Sequence, residues 1–132
     1  MRRKCIKLKS SADYGSPLDR FLCIDEANAE EILESIPNTK KFQAIVERIL
    51  TLKNIYYDHY KREQINEKTR NISAIRFLGN SNIRIYCQEK TTKEGVLYII
   101  CAVSHNKKVQ KNDKKIDTII NKIAEYEYEV HE

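Results

Sequence analysis

The chain has 132 residues, 41% of them apolar, which suits one folded domain with one core and is too short for two ordinary domains. Twenty-four lysines and arginines against 19 acidic residues leave a net charge of +5, which favours a polyanion or an acidic protein as partner. Three glycines, two prolines and no Ser- or Gly-rich stretch argue against disorder or an internal linker, and no window approaches the apolar length of a membrane span.

The N-terminus MRRKCIKLKS is basic, but no apolar h-region follows it, so a secretory signal is not expected and the cytoplasm is the default compartment. From Arg3 to Lys9, Cys5, Ile6 and Leu8 stand against Lys4, Lys7 and Lys9. That pattern predicts a first strand near a sheet edge, where lysines discourage unwanted pairing. Ser10 to Asp25 reads as a loop carrying Gly15 and Pro17. Its apolar cluster Phe21-Leu22-Cys23-Ile24 fits a short strand or a core plug, and periodicity does not separate the two.

Asp25 is the expected N-cap of a helix with Ala29, Ile32, Leu33 and Ile36 on one face and Glu26, Glu30 and Glu31 near its start. Pro37 stops it. Asn38 or Thr39 caps a second helix, whose stripe is Phe42, Ile45, Val46, Ile49, Leu52 and Tyr56. The tight Pro turn makes the two a helical hairpin. The second helix is expected to reach about Tyr60 before a polar loop ending at Asn71.

Three strand-like runs follow. Ile72, Ala74, Arg76 and Leu78 alternate with Ser73, Ile75 and Phe77; Ile83, Ile85 and Cys87 alternate with Arg84 and Tyr86; Val96 to Val103 is continuously apolar. The last fits a central strand buried on both faces. Turn residues at Gly79–Asn82 and Lys90–Gly95 make the three an antiparallel meander, which runs out into the basic tract Ser104 to Lys111. Asn112 or Asp113 caps a last helix with Ile116, Ile119, Ile120 and Ile123 on one face. Tyr126 to Val130 alternates at period two and is read as the frayed end of that helix, with a short strand as the alternative. The order β-α-α-β-β-β-α predicts an α+β fold, an antiparallel sheet with the helical hairpin on one face and the helices on one side.

Cys5, Cys23, Cys87 and Cys101 stand far apart, with no C-x-x-C pair and no histidine at zinc-ligand spacing, and read as small buried hydrophobes. No convergent Asp/Glu/His spacing suggests a metal, and no Gly-rich phosphate loop, G-x-S-x-G or Cys/His nucleophile pattern is present.

Arg76, then Arg84-Ile85-Tyr86, then an apolar strand ending in Lys107-Lys108-Val109-Gln110-Lys111 ahead of an amphipathic helix, resembles the RelE/ParE superfamily of bacterial toxins, most nearly its HigB-like branch. The resemblance covers roughly the last half of the chain. It departs from the family pattern at His105, where the family has an aromatic, and at Asp113, where it has a proline. What it implies is a RelE-like fold and a ribosome-dependent mRNA endonuclease, partnered by a cognate antitoxin and needing no cofactor.

Cutting RNA without a metal requires a deprotonated 2′-hydroxyl, neutralised phosphate charge and a protonated 5′-leaving oxygen. On the positions that match, the candidates for catalysis are Arg84, Tyr86 and Lys107, with His105 added as a proton-transfer group at the strand end. Arg76, Lys108 and Lys111 are candidates for nucleic-acid binding. Each has a plainer reading: a solvated arginine face, a packing tyrosine, a loop histidine, a charge run leading into a helix. Tyr56, Tyr57 and Tyr60 carry faces that stack on bases, although their helical spacing fits packing better. Two further functions compete: a ParE-like, non-catalytic inhibitor of gyrase, and a non-toxic basic module for nucleic acid. An antitoxin-like reading frame beside the gene would count against the last.

Overall fold

The computed structural model describes residues 1–79, 82–106 and 114–131. Strand β1 (Arg2–Ser10) leads through a 3-10 turn at Ser11–Tyr14 to β2 (Arg20–Asp25). Helices α1 (Ala29–Ser35) and α2 (Thr39–Thr51) follow, then β3 (Tyr60–Arg62), β4 (Ile72–Arg76), β5 (Ile83–Thr91), β6 (Leu97–Asn106), α3 (Lys114–Ala124) and β7 (Glu127–His131). The result is an α+β fold around a seven-stranded sheet of order β3-β4-β5-β6-β2-β1-β7.

The meander β4-β5-β6 is antiparallel throughout, and β6 lies mid-sheet with Ile99 to Ala102 buried. The sheet as a whole is mixed, not antiparallel, because β2 runs parallel to β6 and β1 parallel to β7. Parallel neighbours need a long crossover. Helices α1 and α2 with the meander supply one, and most of the chain supplies the other. Phe21 to Ile24 therefore belong to a strand. β1 lies near an edge, as expected, with β7 as the edge strand outside it. The C-terminal run is β7 and not the end of a helix: its alternation buries Tyr128 and leaves Glu127 and Glu129 outside, while its backbone pairs with β1.

Helices cover both faces. Ile32 of α1 and Ile45, Val46, Ile49 and Leu50 of α2 join Leu22, Ile75, Ile85 and Ile99 on one side. Ile116, Ile120 and Ile123 of α3 join Ile72, Ala74, Tyr86 and Ile100 on the other, so the expectation of helices on one side is corrected. Alternate residues of a strand feed opposite faces, and both sets are apolar, so each face needs a cover. The sheet also curls around α3. Lys90 of β5 donates to the carbonyl of Tyr128 on β7 at 3.0 Å, although three strands lie between them.

Helix α2 stops at Thr51, short of Tyr60, because Arg20 takes over its free carbonyls. Arg20 donates to Ile49 and Leu52 at 2.8 and 2.5 Å and to Lys53 at 3.4 Å. Asn38 caps the other end, accepting the N–H of Lys41 at 3.0 Å. Asp25 is not the N-cap of α1; Asn28 holds that position, and the Asp25 carboxylate is fully buried. All four cysteines are buried free thiols, Cys87 and Cys101 on the α2 side, Cys5 and Cys23 on the α3 side. Among the described residues no helix is long and apolar enough to cross a membrane.

Candidate nucleic-acid interface

The register of the meander puts three of the expected residues in one row. Arg76 on β4 pairs with Arg84 on β5, and Arg84 pairs with His105 on β6. Residues two apart share a face, so Arg76 follows Ala74, and Arg84 precedes Tyr86, on the α3 side. His105 is therefore a strand residue two positions beyond Val103, not a loop histidine. Lys107, Lys108 and Lys111 lie outside the described residues, as do Asn112 and Asp113.

The row has a member that sequence reasoning missed. Glu63 comes just after β3 and ties into the sheet by donating its N–H to the carbonyl of Ile72 at 2.9 Å. Its Oε1 accepts from Nη2 of Arg76 at 3.1 Å and lies 3.5 Å from Nη1 of Arg84. Only the pairing of β3 with β4 brings Glu63 to the arginines, and nothing in the run KREQINEK marks it out. The side chains of Arg76, Arg84 and Glu63 are 24%, 20% and 14% exposed, so the pair is not a solvated arginine face.

Tyr86 lies below this row, cross-strand from Ala74 and Val103, with no exposed surface. Its hydroxyl has no hydrogen-bond partner among the described residues, and neither has Nε of Arg76. Burial pushes the phenol pKa up, with Glu63 adding to the rise and Arg84 and Arg76 opposing it. The hydroxyl therefore keeps its proton at neutral pH and is equipped to donate, not to act as a base. Two guanidiniums, a carboxylate and a phenol thus gather at one end of the meander, with His105 on the neighbouring strand in the same row. Guanidinium forks match phosphate oxygens, and the carboxylate and imidazole are proton-transfer groups.

The tyrosines of the 56–60 segment are used by their own chain. The Tyr60 hydroxyl, fully buried, donates to Glu89 at 2.5 Å and shares a 2.6 Å hydrogen bond with Ser73. Tyr56 donates to the other oxygen of Glu89 at 2.7 Å and stacks on Tyr60 with ring centres 5.7 Å apart. Arg62 covers Tyr56 and Arg48 covers Tyr57, at 4.8 and 4.0 Å. These rings fasten β3 to the sheet. Among the described residues no group of three His, Cys, Asp or Glu is placed to hold a metal ion.

Comparison with protein-family models, with curated proteins and with solved structures finds no match for this chain.

Proposed function

We propose that the chain is the toxin of a type II toxin–antitoxin pair, a RelE-like protein of the HigB-like branch that cuts mRNA on the ribosome without a metal. The observation that carries this is the row Arg76–Arg84–His105, drawn from three successive strands, with Glu63 bridging its arginines. The helix pair followed by an antiparallel meander supports the same reading.

The chemistry divides among these side chains. Arg76 and Arg84 hold the scissile phosphate and neutralise its growing charge. Glu63 takes the proton of the 2′-hydroxyl, whose oxygen attacks phosphorus. His105 delivers a proton to the 5′-oxygen as the P–O5′ bond breaks. The products are a 2′,3′-cyclic phosphate and a 5′-hydroxyl end. Tyr86 donates to a phosphoryl oxygen. Lys107, Lys108 and Lys111 belong to the same basic tract and are assigned to rRNA or substrate backbone. The partners are the ribosome with its mRNA and a cognate antitoxin.

A gyrase inhibitor or a non-toxic nucleic-acid binder would use the cations and leave the carboxylate–imidazole pair without work. Single-turnover cleavage on programmed ribosomes decides the matter. Cleavage that leaves cyclic-phosphate ends supports the enzyme; no cleavage in any ribosome-bound condition removes it and moves the binding readings ahead.

A further inference from the structure

The arginine pair is engaged in a lopsided way. Both guanidiniums meet Glu63 through a single oxygen, Oε1, at 3.1 and 3.5 Å, although each guanidinium carries about five donor hydrogens. Beside them, Nε of Arg76 and the hydroxyl of Tyr86 are buried without a partner. A buried donor left unpaired is costly and rare in a folded chain, so two at one place call for a physical cause. A ligand that offers several oxygens in tetrahedral array answers both guanidiniums and the phenol at once; a lone carboxylate oxygen does not.

We infer that the Glu63 carboxylate is a built-in stand-in for phosphate, and that a tetrahedral phosphate oxyanion binds here by displacing it from Arg76 and Arg84 while accepting from the Tyr86 hydroxyl. Glu63 is anchored through its backbone N–H to Ile72, so releasing the arginines takes a side-chain rotation and leaves the ladder intact. Both donors are shielded from water in the free protein and lie beside the ion pair that the phosphate replaces. In the free protein Glu63 keeps two like charges from facing each other unpaired across adjacent strands. Once turned out by the phosphate, it remains beside the anion, within reach of a neighbouring hydroxyl. This rests on the proposed function only for identifying the phosphate as that of RNA; binding of the free anion requires no cleavage.

Inorganic phosphate, titrated calorimetrically into the full chain at fixed ionic strength, tests it. Glu63→Gln keeps the shape and removes the competing charge, and should bind phosphate about threefold more tightly or better, the scale of releasing a part-exposed ion pair. Glu94→Gln, an exposed turn carboxylate, controls for net charge and should bind as wild type does. Tyr86→Phe, with unchanged charge, should bind about threefold or more weakly. Thermal melts establish that each variant is folded. Glu63→Gln binding no tighter than wild type, or Tyr86→Phe binding equally well, overturns the inference. A 3′-phosphorylated dinucleotide binding more tightly than inorganic phosphate assigns the seat to nucleic acid, and equal affinity assigns it to free phosphate. Phosphate binding with this pattern but no mRNA cleavage would sink the nuclease reading and leave the displaced carboxylate standing.

Discussion

Arg3 on β1 grips both oxygens of Asp25 on β2, Nε and Nη2 donating at 2.6 and 2.9 Å to a carboxylate with no exposed surface. Tyr128 of β7 donates to the same carboxylate at 2.6 Å, and the N–H of Asn28 donates at 3.1 Å. One buried charge therefore joins both ends of the chain to the start of α1. Burial by itself would raise the Asp25 pKa; the hydrogen bonds from Arg3, Tyr128 and Asn28 outweigh it and hold the carboxyl below its ordinary value.

Asp25→Asn leaves Arg3 without its counter-charge and should cost roughly 3–5 kcal/mol in urea unfolding. The sign with pH follows from the depressed pKa. The stabilisation is fully present above the unfolded value, about 3.9, and drains away as pH falls through the folded value. Wild type should therefore lose stability in acid more steeply than Asp25→Asn. Parallel stability–pH curves would show that the carboxylate contributes nothing.

Arg20→Met keeps an apolar stem but leaves the carbonyls of Ile49, Leu52 and Lys53 to water. A loss of about 1.5–3 kcal/mol is expected, the range for hydrogen bonds to a charged group. Amide exchange should quicken in the last turn of α2 before it does elsewhere. An unchanged urea midpoint would mean that solvent caps this helix equally well.

Expression in a bacterial host should arrest growth and translation. Arg84→Ala, which removes a cation from the row, should relieve the arrest more than Lys9→Ala, which alters an exposed residue of β1. Two equally toxic variants would place the site away from this end of the sheet. Relief with gyrase activity unchanged throughout favours RNA as the target.

His105→Ala should slow cleavage of ribosome-bound mRNA by about 10²–10⁴, the usual loss for one proton-transfer group. Tyr86→Phe should cost less, about 10- to 100-fold, because it removes one hydrogen bond to a charged phosphate. The ranking depends on the raised pKa of the Tyr86 phenol, which suits a donor. Wild-type rates in His105→Ala, or a larger loss in Tyr86→Phe, would reverse the two roles.

Elements whose signal is local were legible in the residues alone. The period of Phe42 to Ile49 and the Asn38 cap define α2. The turn at Lys90–Gly95 and the apolar run from Val96 define the β5–β6 hairpin and place β6 mid-sheet. Arg76, Arg84, Tyr86 and His105 were nameable only through the resemblance to the RelE/ParE pattern, and period-two alternation then gives each a face. What the sequence left open depended on partners far along the chain. Tyr126 to Val130 has the alternation of a strand, but only the edge of β1, about 125 residues earlier, makes it one. The Phe21–Ile24 cluster becomes a strand because β6 offers a parallel neighbour across a crossover no local pattern announces. The end of α2 is set by Arg20, and Glu63 enters the site only because β3 adds to the far side of the meander. Side-chain period and turn chemistry act over a few residues and can be read along the chain. Strand neighbours, buried ion pairs and the company a carboxylate keeps are long-range choices, made when both faces of the sheet are covered at once.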